Sequence, residues 1–207
     1  MLHYKDYANY EDYLKDQVAK ANLREDYIRQ KSDRKHGEFL ARFDKFNDFL
    51  EVKSRILCLG ARFGEEVRAF RDFGHDAVGV DLFADETDLV IKGDWNDLPF
   101  DKGIFHCIYT NSIDHSFNLN DEIKEICRVL SPNGIVIIDL NIQHCHAAGD
   151  ERIQEKLSNP DRYEAVLWNN DTDVINPFFE AGFGPKMVWL EQAWHTYLLE
   201  RNNGKDV

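Results

Sequence analysis

Apolar and polar positions divide the chain near residue 54. Upstream, Tyr4, Tyr7, Tyr10 and Leu14 recur at helical spacing, as do Phe39, Phe43, Phe46 and Leu50. Gly37 is the one glycine before residue 60, and no proline precedes it. The spacing predicts a helical extension over residues 1–52, packed on the rest as a cap or lying over a site as a lid. Downstream, Arg55–Leu59, Asp76–Asp81, Leu89–Ile91, Ile104–Tyr109 and Ile135–Leu140 are short apolar runs. Helical stretches separate them, from Gly64 to Phe73 and from Asn120 to Leu130. The second places Ile123, Ile126, Cys127 and Leu130 on one face. Near-continuous apolar strands alternating with helices predict an α/β fold: a parallel sheet covered on both faces. Past residue 150 the pattern predicts a polar helical region to about Ala181, interrupted near Pro160. Lys186–Glu191 and Trp194–Glu200 then predict two closing antiparallel strands. Residues 141–185 carry the weakest pattern, and substrate specificity is expected there and in the N-terminal helices.

Length and composition fit one globular domain, with residues 53–207 as its body and 1–52 as the extension. The 207 residues are 43% hydrophobic and 30% charged, which is neither disordered nor membranous. Lys and Arg number 25 against 38 Asp and Glu, a net charge of −13. That balance speaks against nucleic acid and anionic membrane surfaces as partners, because both are bound through clustered cations. The basic residues Arg24, Arg29, Lys31, Arg34 and Lys35 read as a solvated helix face. No apolar run reaches the roughly 20 residues of a membrane span. The polar, aromatic start from Met1 to Tyr10 is unlike a signal peptide. Cys58, Cys107, Cys127 and Cys145 form no C-x-x-C pair, so reduced thiols in a cytoplasmic setting are expected.

The first strand–loop–helix unit carries the chemistry. It reads Ile56-Leu-Cys-Leu-Gly60-Ala61-Arg62-Phe-Gly64-Glu-Glu66. A glycine leaving the first parallel strand lets the backbone turn tightly against a ligand. Asp81 ends the second strand about 20 residues on, where a carboxylate can hold ribose hydroxyls, with Leu82 beside it. A nucleoside-containing cofactor is therefore expected. Glu65 and Glu66 in the first helical turn suit the helix dipole but would repel a pyrophosphate. S-adenosylmethionine, with ribose and adenine but no phosphate, fits better than a dinucleotide. Asp94 and Trp95 follow the third strand, where a carboxylate beside an aromatic can hold adenine. Thr110-Asn111-Ser112-Ile-Asp114-His115 ends the fourth.

With these four motifs in order, the chain resembles the class I S-adenosylmethionine-dependent methyltransferases of the small-molecule "type 11" kind, from about Arg55 to Leu140. The closing strands resemble that family's terminal hairpin. The resemblance implies a Rossmann-like, doubly wound, seven-stranded sheet whose last strand is antiparallel. It implies that Gly60 and Gly64 line the cofactor loop, with Ala61 and Arg62 between them. It also implies that Asp81 holds ribose, that Asp94 and Trp95 hold adenine, and that Asn111, with Ser112, lies near the methionine moiety. The chain departs from the family's Asp-x-Gly-x-Gly-x-Gly loop in having Cys58 for the acid and Arg62 for the middle glycine. Arg62 is expected to pair with the cofactor's carboxylate.

Asp114 and His115 are the catalytic candidates, since open parallel sheets present their sites at the carboxyl ends of the strands. His115 is read either as a general base or as a loop residue shaping the pocket. His144-Cys145-His146 suggests a metal, but no second spaced ligand pair accompanies it, and none is expected. The expected activity is methyl transfer to an oxygen or nitrogen of a small molecule, such as a sugar or glycan precursor. The alternatives are a silent module that binds S-adenosylmethionine or S-adenosylhomocysteine for a protein partner, and a nicotinamide oxidoreductase, which the loop glutamates oppose. The sequence leaves the oligomeric state open.

Overall fold

The computed structural model describes residues 1–84, 87–147, 150, 152–159 and 164–202, without the side chains of Arg24 and Gln154. The expected break near Pro160 lies outside the described residues, as does the Arg24 side chain of the basic stretch. Among the described residues, a seven-stranded sheet forms the centre. Its strands are β2 (Arg55–Leu59), β3 (Asp76–Asp81), β4 (Val90–Lys92), β5 (Phe105–Thr110), β6 (Leu130–Asn141), β8 (Phe183–Leu190) and β9 (Trp194–Arg201). Their order is β4-β3-β2-β5-β6-β9-β8. The first five run parallel, and β9 lies antiparallel between β6 and β8. This is the parallel sheet that the pattern predicted, in the doubly wound, seven-stranded form with an antiparallel last strand that the resemblance implied.

Side chains alternate across the sheet, so each strand supplies both layers. Leu57, Leu59, Ile108, Val136 and Ile138 face a core with Leu119, Ile123 and Ile126 of helix α4 (Leu119–Val129) and Val174, Ile175 and Phe178 of helix α6 (Thr172–Glu180). Ile56, Cys58, Cys107, Tyr109 and Ile137 face the opposite core. There Phe39 and Phe43 of helix α2 (Ser32–Phe43) meet Val67, Ala69 and Phe70 of helix α3 (Glu65–Asp72). Phe43 stacks on Phe70 at 4.0 Å between ring centroids. A buried polar knot ties α2 to the sheet. Asp139 accepts hydrogen bonds from Arg42 Nη1 at 2.8 Å, from the Tyr109 hydroxyl at 2.6 Å and from Thr196.

Three details differ from the pattern. Leu2–Tyr4 is a strand, β1, which pairs antiparallel with β7 (Val166–Trp168). Tyr4 is thus outside helix α1 (Tyr10–Gln30), and Tyr7 precedes it. The region after residue 150 is accordingly split into helix α5 (Arg152–Ser158), β7 and α6. Strand β6 begins at Leu130, because Ser131–Gly134 continues the strand across an irregularity in its pairing with β5. The basic stretch runs along solvent: Arg29 pairs with Glu25 and Arg34 with Glu38, one turn apart. All four cysteines are free thiols. No helix among the described residues is long and apolar enough to cross a membrane.

Candidate active site

Helix α1 lies across the carboxyl ends of β2, β3 and β5, enclosing a cavity of about 190 Å³. The sheet side contributes Gly60, Arg62, Asp81, Leu82, Phe83, Trp95, Ser112 and His115. The helix side contributes Tyr13, Gln17, Lys20, Ala21 and Ile28. Seven of the residues expected from sequence therefore converge. Ala61, Gly64, Asp94, Asn111 and Asp114 stand behind this lining.

The loop after β2 explains why glycine stands first. Gly60 has φ 71°, and a Cβ there would come within 2.6 Å of Ser112 Oγ. Arg62, where the related loops have glycine, also keeps a left-handed φ of 43°. An L side chain there costs on the order of 1–3 kcal/mol, so the fold must hold it. Two contacts do so: the Arg62 N–H donates to Asp81 Oδ2 at 3.0 Å, and its Nη2 donates to the Ala21 carbonyl at 2.9 Å. Its Nε is buried with no hydrogen-bond partner. The guanidinium thus straps the loop to α1 while keeping one donor in hand. Ala61 is buried against Gly79. Gly64 opens α3 from a left-handed conformation.

Asp81 is fixed by two backbone donors, Arg62 N–H on Oδ2 and Phe83 N–H on Oδ1, at 3.0 and 2.8 Å. Each oxygen retains a lone pair for a ligand hydroxyl. Trp95 is nearly buried and presents its ring to the cavity. Asp94 is turned to α1 instead. It accepts from the Tyr10 hydroxyl on one oxygen, and from Asn96 N–H and Nδ2 on the other at 2.8 and 3.0 Å. Asn111 Oδ1 accepts from Ser112 Oγ at 3.0 Å.

Where the family loop has an acid, Cys58 is fully buried with Glu66 nearby. Burial pushes the thiol up, and pushes Glu66 up to about 8. The carboxyl near this position is therefore a protonated one on α3, within the fold. Glu65 is buried beside it.

His115 is held at both nitrogens. Nδ1 lies 3.1 Å from Gln17 Oε1, and Nε2 lies 3.4 Å from Asp114 Oδ2. The Tyr13 hydroxyl donates to the His115 carbonyl at 2.8 Å. His144 stands on the far side of Asp114, with Nδ1 at 3.6 Å from Oδ2, and its Nε2 lies 3.3 Å from Glu164. Cys145 Sγ donates to the Asn169 carbonyl, and His146 Nδ1 accepts from Lys156. The three side chains of that run diverge, and no group of three possible ligands among the described residues is arranged around a metal.

The lining residues missed in the sequence are Phe83 and, on α1, Tyr13, Gln17, Lys20, Ala21 and Ile28, with Tyr10 of the same helix bonded to Asp94. The α1 spacing of three and four was visible, but polar residues at that spacing also describe a solvated face.

Residues 57–138, which run from β2 into β6, match the family described as methyltransferase domain. Solved structures share the fold. YcgJ of Bacillus subtilis is 14% identical at a TM-score of 0.61, covering 81% of this chain and 100% of its own. A geranyl diphosphate C-methyltransferase of Streptomyces coelicolor, solved with Mg²⁺, geranyl diphosphate and S-adenosylhomocysteine, is 15% identical at 0.61, covering 78% of each chain. A phosphoethanolamine N-methyltransferase of Haemonchus contortus, solved with phosphomonomethylethanolamine and S-adenosylhomocysteine, is 16% identical at 0.62, covering 81% of this chain and 53% of its own. No curated protein matches the chain. The chain thus matches a methyltransferase-domain model over residues 57–138 and shares its fold with these solved structures.

Proposed function

We propose that this protein transfers a methyl group from S-adenosylmethionine to an oxygen or nitrogen of a small molecule. The observation that carries the reading is the convergence of Gly60, Arg62, Asp81, Trp95, Ser112 and His115 on one cavity at the carboxyl ends of the strands. Asp81, preset by two N–H donors, takes the ribose hydroxyls. Trp95 covers the adenine ring. Arg62, whose Nε is buried with no hydrogen-bond partner, would pair with the cofactor's carboxylate. Ala61, Gly64 and Leu82 shape the loops, and Asn111 orients Ser112 near the methionine chain. Asp94 serves adenine once Tyr10 yields its hydrogen bond, which couples the cofactor to the seating of α1. Residues 1–52 act as the cap.

When bound, the cofactor supplies an activated methyl on a sulfonium. The protein then has mainly to hold a nucleophile in line and keep water out, and such positioning can contribute roughly 7–11 kcal/mol. His115, oriented by Gln17 and Asp114, stands on the acceptor side. It takes the acceptor's proton if a ring nitrogen is released to it. The net charge of −13 supports a small acceptor over nucleic acid.

The test is formation of S-adenosylhomocysteine from S-adenosylmethionine with a panel of small alcohols, amines and sugars. Turnover with a His115→Ala variant retaining activity would assign acceleration to positioning. Complete loss with cofactor binding intact would assign His115 the base role. Cofactor binding without turnover on any acceptor would favour the silent binding module.

A further inference from the structure

Glu122, in the first turn of α4, is a buried acid that the cofactor reading does not use. Its residue is only 2% exposed. Oε1 accepts from the Phe117 N–H at 3.1 Å, and Oε2 is buried with no hydrogen-bond partner. A charge in such a place is costly, and a carboxyl held there takes up a proton instead. Burial pushes Glu122 up to about 7; the nearby Ser116 hydroxyl and the Phe117 and Asn118 N–H groups hold the rise back, and Asp94 adds to it. Within its electrostatic reach also stand the hydroxyls of Tyr4 on β1 and of Tyr10 and Tyr13 on α1. Helix α6 meets the same core as α4 through the apolar Val174, Ile175 and Phe178. A carboxylate and phenols thus face Glu122, and these offer it no compensating positive charge.

The N-terminal segment is anchored on the residues just before this acid. The Phe117 ring lies 5.0 Å from Tyr10, 5.1 Å from Tyr13 and 6.4 Å from Tyr7. The Tyr13 hydroxyl donates to the His115 carbonyl, and the Tyr4 hydroxyl accepts from the Leu119 N–H at 3.3 Å. Residues 115–119 therefore receive Tyr4, Tyr7, Tyr10 and Tyr13. On the sheet side, α4 is sealed by the main core, where Leu119 and Ile123 are buried. Water reaches an ionised Glu122 at least cost by lifting the cap, because peripheral elements open at lower free energy than a core. We propose that Glu122 is a proton-operated latch for the N-terminal cap: protonated, it keeps α1 seated over the cavity, and ionised, it loosens that seat. The latch is a property of the free chain and does not depend on the methyl-transfer reading.

The sign follows from the two forms. The carboxyl is raised from 4.5 to about 7 with the cap seated and returns to its ordinary value with the cap lifted. Seating is therefore fully favoured below about pH 4.5, and the advantage is lost up to about pH 7. The opening constant of α1 should rise by up to about tenfold per pH unit between pH 5 and 7 and then level off. Amide exchange of the full chain, read by NMR from pH 5 to 8 and corrected for the intrinsic chemical rate, gives that constant. Opening of α1 is expected to exceed that of β5 by at least about tenfold and to show the rise. Glu122→Gln, neutral at every pH, is expected to abolish the rise. A flat α1 profile in the wild type overturns the proposal, as does a rise that persists in Glu122→Gln, which belongs to another group. Equal opening of α1 and β5 at every pH also overturns it, because the whole chain would then be opening. If Glu122→Gln does not fold, the ¹³C signal of the Glu122 carboxyl decides: a midpoint near 7 that tracks the α1 rise is expected, and one below about 5 overturns the proposal. No cofactor enters these measurements, so failure to bind S-adenosylhomocysteine would defeat the methyl-transfer reading and leave their result standing.

Discussion

Replacing Gly60 by alanine tests how the cofactor loop is built. Gly60 sits at φ 71°, where an L side chain costs about 1–2 kcal/mol. The new Cβ would also lie 2.6 Å from Ser112 Oγ, 2.7 Å from Ser112 Cβ and 3.1 Å from the Trp95 ring. Those atoms belong to well-packed residues, and forcing such a methyl into place costs about 1–3 kcal/mol more. The expected loss is therefore about 2–5 kcal/mol, or a fall in Tm of at least about 4 °C for a chain of this size. Thermal and denaturant unfolding of Gly60→Ala, Ser112→Gly and the double variant form a cycle. In the Ser112→Gly background the backbone cost and the 3.1 Å approach to Trp95 should remain while the two Ser112 contacts are relieved, so the two substitutions should couple by about 1–2 kcal/mol. A Gly60→Ala cost under about 0.5 kcal/mol, or one unaffected by Ser112→Gly, would refute the reasoning.

Three more outcomes follow from the packing. Asp139→Ala strips the carboxylate from half-buried Arg42 and from buried Tyr109 and Thr196, and should cost about 3–5 kcal/mol in urea unfolding; a loss under about 1 kcal/mol would show the knot to be idle. Glu66 has its carboxyl raised from 4.5 to about 8, so the native state keeps a proton that the unfolded chain releases. Its contribution is intact below about pH 4.5 and declines up to about pH 8. Glu66→Gln should therefore gain in Tm relative to the wild type between pH 5 and 8.5, and a pH-independent difference would contradict this. Arg62→Ala cuts the strap to Ala21, so amide exchange in α1 should quicken and S-adenosylhomocysteine affinity fall about tenfold; unchanged exchange and affinity would remove Arg62 from both roles.

The central strands were legible because both faces of a parallel sheet are buried, which writes β2, β3, β5 and much of β6 as apolar runs. The amphipathic helix α4 was legible for a related reason, since Ile123 and Ile126 repeat on its core face. Strands β1 and β7 were not, because each is three residues long and their pairing joins positions 2–4 to 166–168. Nothing local marks so short and distant a partnership. The start of β6 was hidden by Ser131-Pro-Asn-Gly134, whose composition announces a turn although the chain stays extended. In the site, Gly60, Asp81 and Trp95 were readable because order along a βα unit fixes position in space. Asp94 was readable as a carboxylate but not as the partner of Tyr10, which comes from a helix far away in sequence. Gln17 and Lys20 carried only a helical spacing, because only the docking of α1 separates a lid face from a solvated one.

Calorimetric titration of the full chain with S-adenosylhomocysteine, with NAD as control, decides which cofactor the cavity takes. Micromolar binding of S-adenosylhomocysteine, abolished by Asp81→Ala, is expected, with none of NAD. Binding of NAD alone, or of neither compound, would contradict the methyl-transfer reading.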